Sequence, residues 1–185
     1  MTARLWDAQT GETTLILEGH TDRICSVAFS SDGLKLMTSS CDDTAKLWDT
    51  RTGECLRTFS GHTDDICAAV FSPDDLHILT GSQDATARLW DAETGSTIRT
   101  FTGHDVGILS VAYSPDGTHV LTSGNDNTAR LWDSQTGQVI RTYSGHTDAV
   151  NAVTFGPSGT QVYTASLDNS VIIWDRDTGE SIRTT

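Results

Sequence analysis

Histidine, serine and aspartate recur in a fixed order along the chain, and these are the residue types of a hydrolytic catalytic triad. Three complete sets occur: His20, Ser40 and Asp42; His62, Ser82 and Asp84; and His146, Ser166 and Asp168. A triad needs one exposed serine, activated by the histidine and placed beside an oxyanion hole. Nothing in that chemistry requires a copy of the set in every repeat. Recurrence of the set therefore indicates that its residues belong to a repeated structural element.

The whole chain repeats with a period of 42 residues. Each unit opens on Gly-His, at residues 19–20, 61–62, 103–104 and 145–146. The pair Trp-Asp follows at residues 6–7, 48–49, 90–91, 132–133 and 174–175. A fixed period near 40 with these two pairs is typical of the four-stranded blades of a β-propeller. The chain resembles the WD-repeat (WD40) β-propeller family over its whole length.

The resemblance implies an all-β fold: a propeller segment of four complete four-stranded antiparallel blades plus a half blade, either open or part of a ring of roughly seven to eight blades. Residues 1–18 form the C-terminal half of a truncated blade. The repeats of this single propeller domain are 19–60, 61–102, 103–144 and 145–185.

Turn residues divide each repeat into four short strands. In the second repeat the sequence predicts strands at 66–72, 77–82, 86–91 and 97–101, and in the half blade at 2–7 and 13–17. The innermost strand of the first repeat, 24–29, is apolar or small on both faces. Such a strand is typically covered on both sides. Asp75 stands where the three other repeats have a turn glycine, and we expect backbone strain there.

In the family that this chain resembles, the loop histidine, a strand hydroxyl, the turn aspartate and the tryptophan form a buried hydrogen-bonded network within each blade. Buried polar groups must be paired, so this structural role is favoured over catalysis. The network tryptophans are Trp48, Trp90, Trp132 and Trp174. The third repeat has His104, Asp126 and Trp132 but Gly124 at the serine position. We expect a shorter network there unless Ser123 substitutes, and we predict no catalytic residue.

The cysteines and remaining histidines form no recognisable metal or cofactor motif. Cys25 and Cys67 occupy one repeat position within apolar strands, and no C-x-x-C pair or zinc-type cluster occurs. His77 and His119 also recur at one offset, beside a turn. We expect reduced thiols, no metal site and no cofactor.

Charge and hydropathy limit the partners. The chain has 25 acidic and 12 basic residues, a formal net charge of -13. Most of the basic residues recur once per repeat, at separated positions, so they form no concentrated surface for nucleic acid. No leader and no long apolar run is present, which argues against a membrane segment. We expect an intracellular, cytoplasmic protein, with the nucleus as the alternative compartment.

Candidate partner-binding residues are those that differ between repeats at one edge of the disc. The resemblance places three positions of each repeat at this top edge, near the central channel. They are Arg23, Asp65, Gly107 and Ala149; Cys25, Cys67, Leu109 and Asn151; and Cys41, Gln83, Asn125 and Leu167. With few charges among them they resemble the centre of an interface, although they could also line a water-filled channel. We call these twelve the top-edge residues.

The sequence therefore predicts a non-catalytic scaffold that presents its top face to peptides or proteins in a multiprotein complex. One alternative is the substrate receptor of a cullin-RING ubiquitin ligase, because residues 36–51 end in Trp-Asp-x-Arg. Another is the regulatory propeller of a larger signalling enzyme. Four and a half blades leave apolar faces open. We therefore expect either a piece of a longer propeller or self-association through those faces.

Overall fold

The chain is built from β-strands alone. The computed structural model describes all residues, Met1–Thr185, and contains eighteen strands. The strands are β1 (Thr2–Trp6), β2 (Thr13–Glu18), β3 (Ile24–Phe29), β4 (Lys35–Ser40), β5 (Thr44–Asp49), β6 (Cys55–Ser60), β7 (Ile66–Phe71), β8 (His77–Ser82), β9 (Thr86–Asp91), β10 (Thr97–Thr102), β11 (Ile108–Tyr113), β12 (His119–Gly124), β13 (Thr128–Asp133), β14 (Val139–Ser144), β15 (Val150–Phe155), β16 (Gln161–Ser166), β17 (Val171–Asp175) and β18 (Ser181–Thr184). No helix is present that is long and apolar enough to cross a membrane.

The strands form four antiparallel four-stranded sheets and one two-stranded sheet. Blade 1 has the order β3-β4-β5-β6, blade 2 β7-β8-β9-β10, blade 3 β11-β12-β13-β14 and blade 4 β15-β16-β17-β18. The partial blade is the hairpin β1-β2. Innermost strands of successive blades pack against one another, and the blades do not close into a ring. The predicted all-β propeller segment is confirmed, and predicted strand ends differ from the observed ones by at most one residue.

The Asp of each Trp-Asp pair shapes the turn between the two outer strands. In blade 2, the Asp91 Oδ1 atom accepts hydrogen bonds from the backbone amides of Glu93 at 3.1 Å and Thr94 at 2.7 Å. The chain then turns at Gly95, whose φ of 77° is a left-handed value that a residue with a Cβ adopts only at a cost. This local chemistry recurs in every blade and fixes the position of the outermost strand.

The hydrophobic core lies between blades rather than within one sheet. Phe59 of blade 1 and Trp90 of blade 2 meet edge to face with ring centroids 5.8 Å apart, and both are buried. Blades 2 and 3 join through Phe101 and Trp132 in the same way. At the partial blade an aliphatic side chain, Leu17, takes the aromatic's place in the cluster. Each blade thus buries its tryptophan against the outermost strand of the preceding blade.

Arginines of the outermost strands reach in the opposite sense, onto the next blade's outer turn. Arg99 of blade 2 lies over Gly137 and donates from Nη1 to the Thr136 carbonyl at 3.1 Å. Arg141 makes the corresponding bond to Thr178 at 2.8 Å. A Cβ at Gly137 would lie 2.7 Å from Arg99 Cδ, so glycine also makes room for the arginine stem.

The expectation that the innermost strand of blade 1 is covered on both sides is wrong. In β3, Val27 is 59% exposed and Phe29 58% exposed. The reason is the partial blade beside it: β1 and β2 cover the outer part of blade 1, and no inner strands stand opposite β3. Together with Trp6, these side chains line an apolar cleft of about 510 Å³. The corresponding strands of blades 2 and 3 lie between blades, and each of their residues is buried or half-buried.

Asp75 adopts the left-handed backbone conformation expected at this turn position, and its carboxylate bonds to the neighbouring blade. Its φ is 58°, a left-handed value. The carboxylate accepts hydrogen bonds from the amide of Ser31 at 2.9 Å and from its hydroxyl at 2.5 Å. Asp75 therefore links the first-hairpin turns of blades 1 and 2, which offsets backbone strain that a glycine would avoid.

Candidate functional site at the top edge of the blades

A buried chain of four side chains ties each blade together. In blade 2, His62 Nδ1 lies 2.8 Å from Asp84 Oδ2, and His62 Nε2 lies 2.8 Å from Thr80 Oγ1. The indole N-H of Trp90 donates to the same hydroxyl at 2.9 Å. The chain is present in every blade, with His20, Thr38, Asp42 and Trp48; His104, Thr122, Asp126 and Trp132; and His146, Thr164, Asp168 and Trp174.

The hydroxyl that joins histidine to tryptophan is therefore a threonine, and the prediction that Ser82 and its equivalents Ser40 and Ser166 provide it is wrong. Thr80 lies two residues before Ser82 on the same face of β8, where its hydroxyl is within hydrogen-bond distance of the Trp90 indole. Ser82 instead binds main chain: its hydroxyl donates to the Asp64 carbonyl at 2.9 Å and accepts from the Asp84 amide at 3.0 Å. It fixes the loop and the turn beside the network.

The prediction of a shorter network in blade 3 is also wrong, because Thr122 completes the chain in that blade. Gly124 loses only the two main-chain bonds that serine makes elsewhere. A Cβ on Gly124 would lie 2.5 Å from the carbonyl oxygen of Gly107, so the close approach of the loop excludes a side chain. Ser123 does not substitute, since its buried hydroxyl has no partner. Blade 3 gains a bond from Arg130 Nη2 to Asp126 Oδ2 at 3.4 Å.

Burial sets the protonation state of these networks. It lowers the pKa of His20, His62 and His104 from the ordinary value of 6.5, against the opposing attraction of the aspartates. A neutral imidazole can donate from Nδ1 to the carboxylate and accept at Nε2 the proton of threonine. Burial alone would raise the pKa of Asp42, but the Thr44 hydroxyl, the Thr21 amide and His20 outweigh it and hold it at about 2.

The Thr-His-Asp arrangement has the geometry of a proton relay, yet its hydroxyl is buried where no substrate can reach it. The threonine side chains of blades 1, 2 and 3 have no exposed surface. Each hydroxyl already accepts a proton from the indole and donates its own to histidine, so it presents no free nucleophile. The arrangement orients a loop, a strand and a turn, and it leaves the blade's top edge as the accessible surface beside it.

The structure brings the first and third top-edge positions of each blade together. In blade 2 the amide of Gln83 donates to the Asp65 carbonyl at 2.9 Å. Equivalent bonds join Cys41 to Arg23, Asn125 to Gly107, and Leu167 to Ala149. The turn after the second strand is thus fastened to the start of the first strand, and these residues form one continuous edge.

Side chains extend this edge from blade to blade. Gln83 donates from Nε2 to Cys67 Sγ at 3.2 Å and accepts from Asn125 Nδ2 of the next blade at 3.3 Å. Arg23, Cys25, Asn125, Asn151 and Leu167 are exposed, and Cys41, Asp65, Cys67, Gln83 and Leu109 are half-buried. The edge is therefore partly solvated, and side chains connect it across the boundary of blades 2 and 3.

Two of the top-edge residues cannot contact a partner through their side chains. Gly107 is buried, and a Cβ there would meet the Gln83 amide oxygen at 1.9 Å. Ala149 is also buried, at 7% exposure, at the start of blade 4. Inclusion of Gly107 and Ala149 among the candidate binding residues is wrong, because both positions are buried.

Three carboxylates meet beside the edge, and the sequence analysis singled out only one of them. Asp43, Asp64 and Asp65 bring oxygen atoms within 4.8 Å of one another. Asp43 has a φ of 62°, in the turn between β4 and β5. Burial, followed by repulsion from Asp64 and Asp65, raises its pKa above the ordinary value. Their 21-residue separation along the chain concealed the cluster, which gives the boundary of blades 1 and 2 a negative field.

Four consecutive segments of the chain match the family described as WD domain, G-beta repeat: residues 11–49, 53–91, 95–133 and 137–175. A 38-residue stretch is 53% identical to Coronin-7 of Mus musculus, covering 20% of this chain and 4% of that protein. The similarity to Coronin-7 is thus about one repeat long. Four family matches in one register, each ending on the Trp-Asp pair of a blade, show that the chain belongs to the WD40 repeat family.

Proposed function

We propose that the chain is a non-catalytic scaffold that binds a protein or peptide partner across the top edge of blades 1 to 3. WD40 repeats in general serve protein interaction, and WD40 domains are generally non-catalytic. The observation that supports this location is the continuous edge through Cys67, Gln83 and Asn125, which crosses a blade boundary with side chains that differ between repeats.

A rigid framework with variable side chains is the arrangement expected of a recognition surface. The histidine-threonine-tryptophan networks are the same in all blades, so they contribute stability but no distinction between partners. The top-edge side chains supply the distinction: a thiol pair in blade 1, a thiol and an amide in blade 2, and Leu109 with Asn125 in blade 3. Interface centres of this kind are poor in charge and carry most of the affinity.

The carboxylate cluster favours a partner segment that carries lysine or arginine near its end. Asp43, Asp64 and Asp65 lie at the boundary of blades 1 and 2, in a chain with a formal net charge of -13. Opposite charges steer association and fix register, and salt weakens them when exposed. We expect the association rate to fall as ionic strength rises.

The test uses exchanges between repeats, which keep each position compatible with a blade. A partner is first isolated by its binding to the intact chain. Its affinity is then measured for four variants, each carrying the residue that blade 4 has at the same position: Leu109→Asn, Asn125→Leu, Gln83→Leu and Cys67→Asn. At least one exchange weakens binding tenfold or more, about 1.4 kcal/mol.

Thr100→Ala and Thr142→Ala, on the exposed outermost strands, serve as matched controls and leave the affinity unchanged. Unchanged binding by all four exchanges, together with loss of binding in an outer-strand variant, would place the partner on the rim of the disc.

A further inference from the structure

Two cysteines from opposite sides of a hairpin meet at the top edge of blade 1. The sulfur atoms of Cys25 and Cys41 lie 3.2 Å apart, and both thiols are free. Cys25 is the extra residue of a bulge in β3, and Cys41 follows the last residue of β4. We propose that Cys25 and Cys41 form a reversible disulfide within blade 1, with a small-molecule disulfide such as oxidised glutathione as the oxidant.

The geometry requires little movement. A disulfide joins sulfurs at about 2.05 Å, so the two atoms must approach by a little over 1 Å. The main chain already holds the two residues together, because the Cys41 amide donates to the Arg23 carbonyl at 2.8 Å. Cys25 is exposed and Cys41 half-buried, so neither sulfur is fixed by a packed core. Side-chain rotation alone supplies most of the approach.

No other blade has this pair. At the same two positions blade 2 has Cys67 with Gln83, blade 3 has Leu109 with Asn125, and blade 4 has Asn151 with Leu167. The blade scaffold therefore tolerates many side chains here and does not require two thiols. Cys55 lies on the outermost strand of blade 1 and has no cysteine within bonding distance. The chain thus contains one candidate pair and two single thiols as internal references.

Exposure sets the order of the chemical steps. The Cys25 thiol loses its proton, and its thiolate attacks one sulfur of oxidised glutathione; the disulfide of glutathione breaks and one glutathione thiolate leaves. Cys41 then loses its proton and attacks the Cys25 sulfur, which releases the second glutathione. Two protein thiols are oxidised, one oxidised glutathione is reduced, and the two protons end on the two glutathione thiols. Burial, with hydrogen bonds to Asp65 and Cys25, raises the pKa of Cys41 to about 12. Its thiolate is therefore disfavoured in the reduced chain, so Cys25 rather than Cys41 makes the first attack.

The bond would alter the surface that the top edge presents. In the reduced chain Arg23 Nη2 lies 3.5 Å from Cys41 Sγ, and this contact orients the guanidinium beside the thiol pair. A disulfide removes both S-H groups and weakens the sulfur as an acceptor for Arg23. The inference does not rest on the proposed function, since the disulfide forms or fails to form in the absence of any partner.

The experiment is a thiol count on the purified chain in buffers of increasing oxidised-to-reduced glutathione ratio. After acid quenching and alkylation, intact mass and peptide mapping report which thiols are protected. We expect loss of two of the four alkylatable thiols, a Cys25–Cys41 linked peptide, continued alkylation of Cys55 and Cys67, and full recovery with dithiothreitol. Thermal melting before and after oxidation verifies that the count refers to folded protein.

Variants distinguish the attacking thiol, Cys25, from the resolving thiol, Cys41. Cys41→Ser accumulates a stable mixed disulfide between Cys25 and glutathione, because the resolving thiol is missing. The matched control Cys67→Ser leaves the Cys25–Cys41 bond unchanged. Four alkylatable thiols at every ratio, a bond from Cys25 to Cys67, or only cross-links between chains would each overturn the proposal. The wild-type peptide map decides the question even where a variant fails to fold.

Discussion

At the scale of the single residue, one threonine hydroxyl in the centre of each network supplies the hydrogen-bond partner of both the buried histidine and the buried tryptophan. Thr80 donates to His62 and accepts from Trp90. Replacement of Thr80 by valine keeps the shape and leaves His62 Nε2 and the indole N-H of Trp90 buried without a partner. Each such loss costs about 1 to 3 kcal/mol, so Thr80→Val lowers the free energy of unfolding by about 2 to 6 kcal/mol, measured by urea denaturation.

Two further variants verify the cause. Thr80→Ser keeps the hydroxyl and loses one methyl group, and its cost is the smaller. Ser123→Ala removes a buried hydroxyl that has no partner, so it is neutral or stabilising. Equal losses for Thr80→Val and Thr80→Ser would show that the hydrogen bonds of the hydroxyl contribute little.

The same networks make stability depend on pH. The pKa of His20, His62 and His104 is lower in the folded chain than the ordinary 6.5, so the unfolded chain binds more protons below that value. This contribution is full above pH 6.5 and is lost as the pH falls below it. Asp42 acts in the same direction at lower pH: its contribution is full above 3.8 and is lost as the pH falls towards about 2. Thermal melting from pH 8 to 2 therefore shows a decline in two stages.

The control for the first stage is a variant with His62→Gln and His104→Gln. It removes two of the titrating groups, and its melting temperature depends less on pH between 7 and 5. A melting temperature that rises on acidification through this range would contradict neutral, buried histidines.

Sequence spacing identified the histidine, aspartate and tryptophan of each network but selected the wrong hydroxyl. Thr80 and Ser82 recur with the same period, carry the same functional group and lie on the same face of one strand. Both are fully buried, and only their distance from the indole of Trp90 separates them. Periodicity carries no information on that distance.

At the scale of the element, the contact between blades 2 and 3 depends on a missing side chain. A Cβ at Gly81 would lie 2.7 Å from methyl carbons of both Ile108 and Val111. Gly81→Ala therefore overpacks the boundary and destabilises the chain by about 1 to 3 kcal/mol. Adding Val111→Ala relieves part of the clash, and calorimetry of the single and double variants measures the recovery.

Strand positions were predictable because turns recur with glycine, proline and aspartate at fixed offsets. The exposure of β3 was not predictable from its composition, since apolar residues on both faces are the same in an inner strand that has a neighbour and in one that lacks it. The contrast between Val27, 59% exposed, and buried Ala69 arises from the next sheet. A local sequence pattern does not describe that neighbour.

At the scale of the whole molecule, the open cleft beside the partial blade predicts self-association. Trp6, Val27 and Phe29 line it and are each more than half exposed. Apolar faces of this kind recruit other chains. We expect light scattering to show a mass that rises with concentration, and a melting temperature that rises with it.

Val27→Thr with Phe29→Thr keeps strand propensity, lowers the hydrophobicity of the cleft and shifts the chain towards monomer. The exposed outer-strand variant Thr100→Ala is the matched control. A strictly monomeric wild-type chain with a concentration-independent transition would show that four blades and a partial one suffice alone.

The repeat register located the top edge in the sequence, and the structure adds which side chains meet there. Gln83 to Asn125, Cys25 to Cys41 and the three carboxylates are contacts between different turns or different blades. Cys25 and Cys41 meet within blade 1, whereas the other two contacts cross a blade boundary and depend on the angle between successive blades. That angle is a property of the stacked molecule and is absent from any single repeat.

The arginines that lie over the next blade's turn also determine how the molecule would respond to a pulling force. Arg99 links blade 2 to blade 3, and Arg141 links blade 3 to blade 4. Tension applied along the chain would therefore have to break an arginine contact at each of these two boundaries before the blades separate. Each detached blade releases a repeat of 42 residues, roughly 140 to 150 Å of extended chain. Because the repeats have nearly the same length, we expect extension under load to advance in steps of nearly equal length.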